Sequence, residues 1–349
     1  MGKKCKGELK SMKKYLALAL ALLMVCVMLP VTALADGEYA ELNGTKYASL
    51  KEAVEAAPTD GTLATINVLG SHTGQGIRVE AGQNIVINFN GYTYTLVPSG
   101  AGSYGTKTAG FQLIMGSTVK MIGGTVNIAP SNLTAVNDDT YTPGGRDCNI
   151  MRLIQSYADV TLTDMHFSAE NLFGGDVAKD YVMSFNKGKV LINGSTSIEA
   201  FEGFVAFDSC DGSWAPNGVY NTDPLTAITI DTTGTITGNI EMSGGNLTID
   251  NANVIGGVKL YGDNTAYGVN VIVNGGTYTD AESVRPYLPE GKTLNANGTV
   301  VDEATVRVPE SGETTTPAGN PSTGAAENTG IAAAMVVVAL LGTAAALHK

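Results

Sequence analysis

Five residues in one short segment are the best equipped for chemistry: Asp208, Asp211, Trp214, Tyr220 and Asp223. Trp214 is the only tryptophan of the chain. An indole face stacked on a sugar ring, with carboxylates beside it to accept hydroxyl hydrogen bonds, is a common way to hold a glycan. Cleavage asks for more. A polysaccharide lyase needs acidic Ca2+ ligands and an Arg or Lys near the sugar carboxylate, whereas a hydrolase needs two carboxylates across the scissile bond. The competing reading is plainer: solvated loop acids around a ring packed on the fold. The five residues are therefore candidates for ligand binding, and no residue is assigned a catalytic role. Asp138, Asp139, Arg146 and Asp147 form a second cluster of the same kind. Neighbouring carboxylates in extended chain point in different directions, so Asp138 and Asp139 alone carry little.

Other motifs dissolve on inspection. Gly100, Gly102 and Gly105 satisfy the spacing of a dinucleotide fingerprint, but no helix pattern follows, so the segment reads as a loop. His72, His166 and His348 lie far apart with no second His or Cys at ligand spacing. No metal, cofactor or Ser–His pair is expected. The formal net charge of −12 argues against nucleic acid and anionic lipid as partners.

The elements that must position these residues show themselves between positions 239 and 279. Short alternating runs there are broken by Gly, Asn or Asp, and the pattern then starts over from Val258. Alternation places every second side chain on one face of a strand, and the breaking residues tolerate the backbone of tight corners. A self-repeating three-strand unit with no helix is a rung of a parallel β-helix. Rungs align on second strands that begin at Ile85, Val119, Val160, Val190, Ile228, Leu247 and Val271, 19 to 41 residues apart. First strands are expected from Ile77, Phe111, Met151, Val182, Phe204, Ile240 and Val258. Third strands are expected from Tyr92, Thr125, His166, Thr196, Thr235, Asn253 and Thr277. The expected fold is all-β, a right-handed parallel β-helix of about seven rungs spanning residues 66–280. A β-sandwich stays open, since alternation does not fix strand order. Insertions at 98–110, 130–149 and 170–180 all leave the same corner, and the 208–225 insertion leaves the next one. Long loops on one corner of successive rungs gather on one flank.

The ends read differently. Six Lys precede an apolar run over 15–29, and Ala33 and Ala35 offer small residues for cleavage, so 1–35 is a secretory signal peptide with a helical core. Removing it, six Lys against one Glu, leaves a net charge of −17. Only Cys148 and Cys210 remain, able to form one disulfide outside the cell or to stay as two buried thiols. Residues 36–65 hold a hairpin turning at Asn43-Gly44 and a helix over 50–57. Ser49 and Glu52 have capping-box spacing, and Leu50, Ala53, Val54 and Ala57 form a stripe suited to covering the first rung. Residues 281–308 read as a C-terminal cap and 309–319 as a polar linker.

Asn320, Pro321, Ser322, Thr323 and Gly324 follow, then an apolar run opening at Ile331 and closing at Leu347, then His348 and Lys349. This is a stop-transfer helix with a basic end. The order resembles the sorting signal of Gram-positive wall-anchored proteins over 320–349. That resemblance implies sortase cleavage between Thr323 and Gly324 and attachment of Thr323 to peptidoglycan, with Asn320 where the family usually has Leu. A plain C-terminal membrane anchor is the alternative. The span 38–308 resembles right-handed β-helix surface proteins and, more distantly, pectin-lyase-like enzymes, in the opening Tyr47–Val54 and the closing Tyr287–Gly291. Together these imply an extracellular, wall-anchored adhesin or display scaffold contacting host or microbial glycans or surface proteins. The alternative class is a wall-attached polysaccharide lyase or glycosidase.

Overall fold

Strands form here because β-branched residues alternate with small polar ones. Over Asn84–Asn88, Ile85 and Ile87 are buried while Asn84, Val86 and Asn88 are not, and the same period recurs in each following unit. The computed structural model describes residues 37–97, 100–102, 108–128, 150, 152–169, 181–200, 205–209, 226–261 and 268–306. These residues build an all-β fold with two large sheets in which the repeating strands pair in parallel.

The second strands pair in the register that alternation predicts. Ile85 faces Val119, which faces Val160, and the ladder continues through Val190, Ile228, Leu247 and Val271. The third strands extend the same sheet after a tight corner. At one corner Asp164 takes a left-handed backbone, φ 54°, and its Oδ1 accepts Ser195 N–H of the next unit at 2.8 Å. Gly124 is obligatory at another: a Cβ there would lie 2.2 Å from Phe89 Cβ. Asp159 likewise ties units together, accepting Lys189 N–H at 2.8 Å.

The first strands form their own seven-stranded parallel sheet among the described residues. One inward column runs Ile77, Phe111, Ile154, Met183, Phe207, Ile240 and Val258. These side chains share a single apolar core with the inward faces of the second and third strands. Three first strands are offset from expectation. Ile154, Met183 and Phe207 occupy the register positions assigned to Met151, Val182 and Phe204. Two third strands shift by one residue, with Thr93 and Ser197 in place of Tyr92 and Thr196. An additional layer, Leu63–Val68 and His72–Gly74, precedes the first expected unit.

That layer is met by the hairpin Ala40–Leu42 and Thr45–Tyr47, whose turn residues Asn43 and Gly44 both have positive φ. The hairpin pairs antiparallel with Leu63–Val68 and so ends the parallel ladder. Helix α1, Leu50–Glu55, lies beside it. Ser49 Oγ accepts Glu52 N–H at 3.1 Å, and Glu52 Oε2 accepts Ala48 N–H at 3.2 Å, one residue short of a reciprocal capping box. Leu50, Ala53, Val54 and Ala57 are all buried. At the other end, the short helix α2, Ala281–Val284, leads into a 3-10 turn, Arg285–Tyr287, and a small antiparallel hairpin, Lys292–Leu294 with Val300–Asp302.

Candidate functional site

The first-strand sheet departs from simple alternation. Leu153, Val182 and Ala206 are as buried as their neighbours Ile154, Met183 and Phe207, so these central strands are covered on both faces. Within that apolar surround runs one polar column, Gln112, Gln155, Ser184, Asp208 and Glu241, each in register with the next. Arg78 and Lys259 continue it at the exposed ends. Adjacent strands lie about 4.8 Å apart, so Gln112 and Asp208, three strands apart, are separated by roughly 14 Å.

Asp208 belongs to the strand Val205–Ser209 rather than to the insertion after it. It is 9% exposed, and its Oδ1 has no hydrogen-bond partner among the described residues. Burial pushes its carboxyl up to about 6, against the lowering effects of the Ser184 hydroxyl and the Arg152 guanidinium; Glu241 in the next strand adds to the rise. Gln112 is fully buried; among the described residues its Oε1 is unpartnered and its Nε2 donates to Gln155 O at 3.4 Å. Two donors are stranded as well. Among the described residues Arg152 Nε is buried without a partner, while its guanidinium lies 5.1 Å from the centre of the Tyr181 ring. Asn186 Nδ2 is unpartnered, and its Oδ1 accepts the Ser184 hydroxyl at 3.1 Å, which places it on the same side as Ser184. Two acceptors and two donors thus stand unsatisfied along one sheet. Native proteins rarely leave such atoms unpaired without a reason.

Of the five candidate ligand-binding residues, Asp208 alone is among the described residues. Asp211, Trp214, Tyr220, Asp223, Cys148 and Cys210 lie outside the described residues, as do Asp138, Asp139, Arg146 and Asp147. So do the leader, the linker and the tail with Asn320, Pro321, Ser322, Thr323 and Gly324. Gln112, Arg152, Ser184, Asn186 and Glu241 were missed. For Gln112, Arg152, Ser184 and Glu241 the signal was a single polar residue between apolar ones, as in Phe111-Gln112-Leu113.

One histidine gains through strand stacking the partners that its neighbours in the chain do not supply. His166 Nδ1 lies 2.8 Å from Ser197 Oγ, and Nε2 lies 3.7 Å from Glu199 Oε2. Sequence separation concealed this Ser–His–Glu grouping. It sits partly exposed within a sheet whose backbone N–H groups are committed to strand pairing. Among the described residues no three His, Cys, Asp or Glu side chains gather to hold a metal. Also among them, no helix is long and apolar enough to cross a membrane. Compared with known proteins, the chain matches no family model, no curated protein and no solved structure.

Proposed function

We propose that this chain is a secreted surface protein that displays a glycan-binding face on a right-handed parallel β-helix. The in-register ladders of second and third strands support the β-helix reading, since a coil stacks the same strand of each turn on the last. The leader and the tail from Asn320 to Lys349 support export and sortase-mediated attachment to peptidoglycan, which would hold the face away from the wall.

The observation that carries the binding role is the unpartnered Oδ1 of Asp208, in line with the unpartnered Oε1 of Gln112 on a covered sheet. A sugar chain offers hydroxyls that both donate and accept, so it can meet stranded acceptors and donors alike. The candidate loop residues Asp211, Trp214, Tyr220 and Asp223 follow Asp208 directly in sequence and would supply stacking and further carboxylates. A second reading is favoured by one observation: Asp208 and Glu241 are in-register carboxylates on neighbouring strands, and burial pushes the former up to about 6. Such a pair can serve a glycosidase as acid and nucleophile.

A glycan array with the mature full-length chain tests the proposal. Binding to a defined glycan, reduced at least tenfold in Asp208→Asn, is the expected result. Release of reducing ends from that glycan would move the assignment to the hydrolase. No binding to any glycan would contradict both readings.

A further inference from the structure

We propose that the outward face of the third strands is a second docking surface, one that takes a neutral polysaccharide. The face follows from register. Inward positions Tyr94, Val126, Phe167, Ile198, Ile236, Val254 and Tyr278 are buried, so the residues between them point out. One outward column runs Thr93, Thr125, His166 and Ser197, and resumes as Thr235, Asn253 and Thr277. A second, one pleat away, pairs Thr73 with Thr95 and Asn127, then Ser168 with Glu199, Thr237 and Ile255. Most of these positions carry a hydroxyl, and every one described is partly or fully open to solvent.

Charge selects the partner. Among the described residues of these two columns there is one acid, Glu199, with the His166 ring 3.7 Å away. The adjoining second-strand face presents Lys120, Asp159, Lys189, Asp231 and Asp250, and the whole chain is strongly acidic. A nearly uncharged strip on such a chain suits an uncharged partner and gives a polyanion or polycation little to hold. Hydroxyls donate and accept equally, so they can match a polyhydroxylated surface in any local orientation. Threonine χ1 is restricted by its branched Cβ, and binding orders little that is not already ordered. Repeated about every 4.8 Å over eight layers, the strip extends for roughly 34 Å. It is long enough to engage several sugars, and its residues differ from those of the Asp208 site.

The test is co-sedimentation of the full-length chain with cellulose, chitin and β-1,3-glucan particles. Retention on at least one is expected, cut at least fivefold in the triple variant Thr125→Val, Thr235→Val, Thr237→Val. That variant keeps shape and strand propensity while removing three hydroxyls. A companion, Thr235→Lys, places one cation mid-strip and should weaken retention without altering the circular dichroism spectrum. Lys120→Gln, on the adjoining second-strand face, should sediment as wild type, and the triple variant leaves the Asp208 site intact, so its loss of retention separates this surface from the first site. Wild type that stays in the supernatant with all three particles would overturn the proposal. So would equal retention of folded Thr→Val and Thr→Lys variants, or retention only on a charged polymer such as alginate.

Discussion

Two regions bury polar side chains, and they do so in opposite ways. At the N-terminal end, His72 has both ring nitrogens occupied: Nδ1 lies 3.0 Å from Gly70 O, and Nε2 accepts Leu50 N–H at 3.4 Å. Its ring is stacked on Tyr39 at 4.8 Å and meets Tyr94 edge-on at 4.9 Å. Gln83 nearby donates to Val54 O at 2.7 Å and Ala57 O at 3.0 Å, tying down the end of α1, while its Oε1 accepts Glu80 N–H at 2.8 Å. In the first-strand sheet, Gln112 Oε1 and Asp208 Oδ1 have no partner among the described residues. A buried polar atom without a partner costs about 1–3 kcal/mol. The first region uses polar groups to fasten an end; the second tolerates them at a cost to stability. Such a cost is ordinary at a binding site and hard to account for elsewhere.

The largest effect should come from breaking the fastened end. His72→Ala removes a ring packed between two tyrosines and strands the Leu50 N–H, so it should destabilise by about 3 kcal/mol. Thermal melts at pH 7.5 check this, and glycan binding by the folded fraction should not change. Burial also holds the His72 ring below its ordinary value of 6.5. The unfolded chain therefore takes up the proton first, and the contribution of His72 to stability should be lost as pH falls below about 6.5. The variant should lack that loss.

The two glutamines sharpen the contrast at smaller scale. Gln83→Met should cost about 2 kcal/mol in urea unfolding, because it frees two carbonyls and one N–H that are satisfied in the native chain. Gln112→Met keeps the volume and removes a stranded amide oxygen, so it should change stability by less than about 1 kcal/mol. Equal losses at both positions would erase the distinction between the two regions.

Legibility from sequence followed the same division. The second strands could be read to the residue, because one face is buried and the other is wet: Ile85, Val119 and Val160 alternate cleanly with polar neighbours. Where both faces are covered, alternation vanishes, as in Leu153-Ile154, Val182-Met183 and Ala206-Phe207. Those are the first strands whose register the sequence placed one to three residues off. The site suffered for the same reason. Asp208 stood out as an acid, but its place inside a covered strand was invisible, and Asn186, followed by Lys187, carried no mark that local pattern could detect. His166, Ser197 and Glu199 met only through strand stacking, 31 residues apart along the chain in the case of His166 and Ser197.

The most direct measurement is a pH-resolved melt of Asp208→Asn beside wild type, paired with affinity for the glycan that the array identifies. Burial raises the carboxyl of Asp208 from 3.8 to about 6. The folded state thus takes up the proton first, and stability from this group is full below about 3.8 and lost as pH rises through about 6. The variant should therefore be more stable than wild type at pH 7.5, by about 1 kcal/mol, and no more stable at pH 4. Its affinity should fall at least tenfold. A variant that is less stable at pH 7.5 and binds as wild type would make Asp208 part of the framework and contradict the assignment of the site.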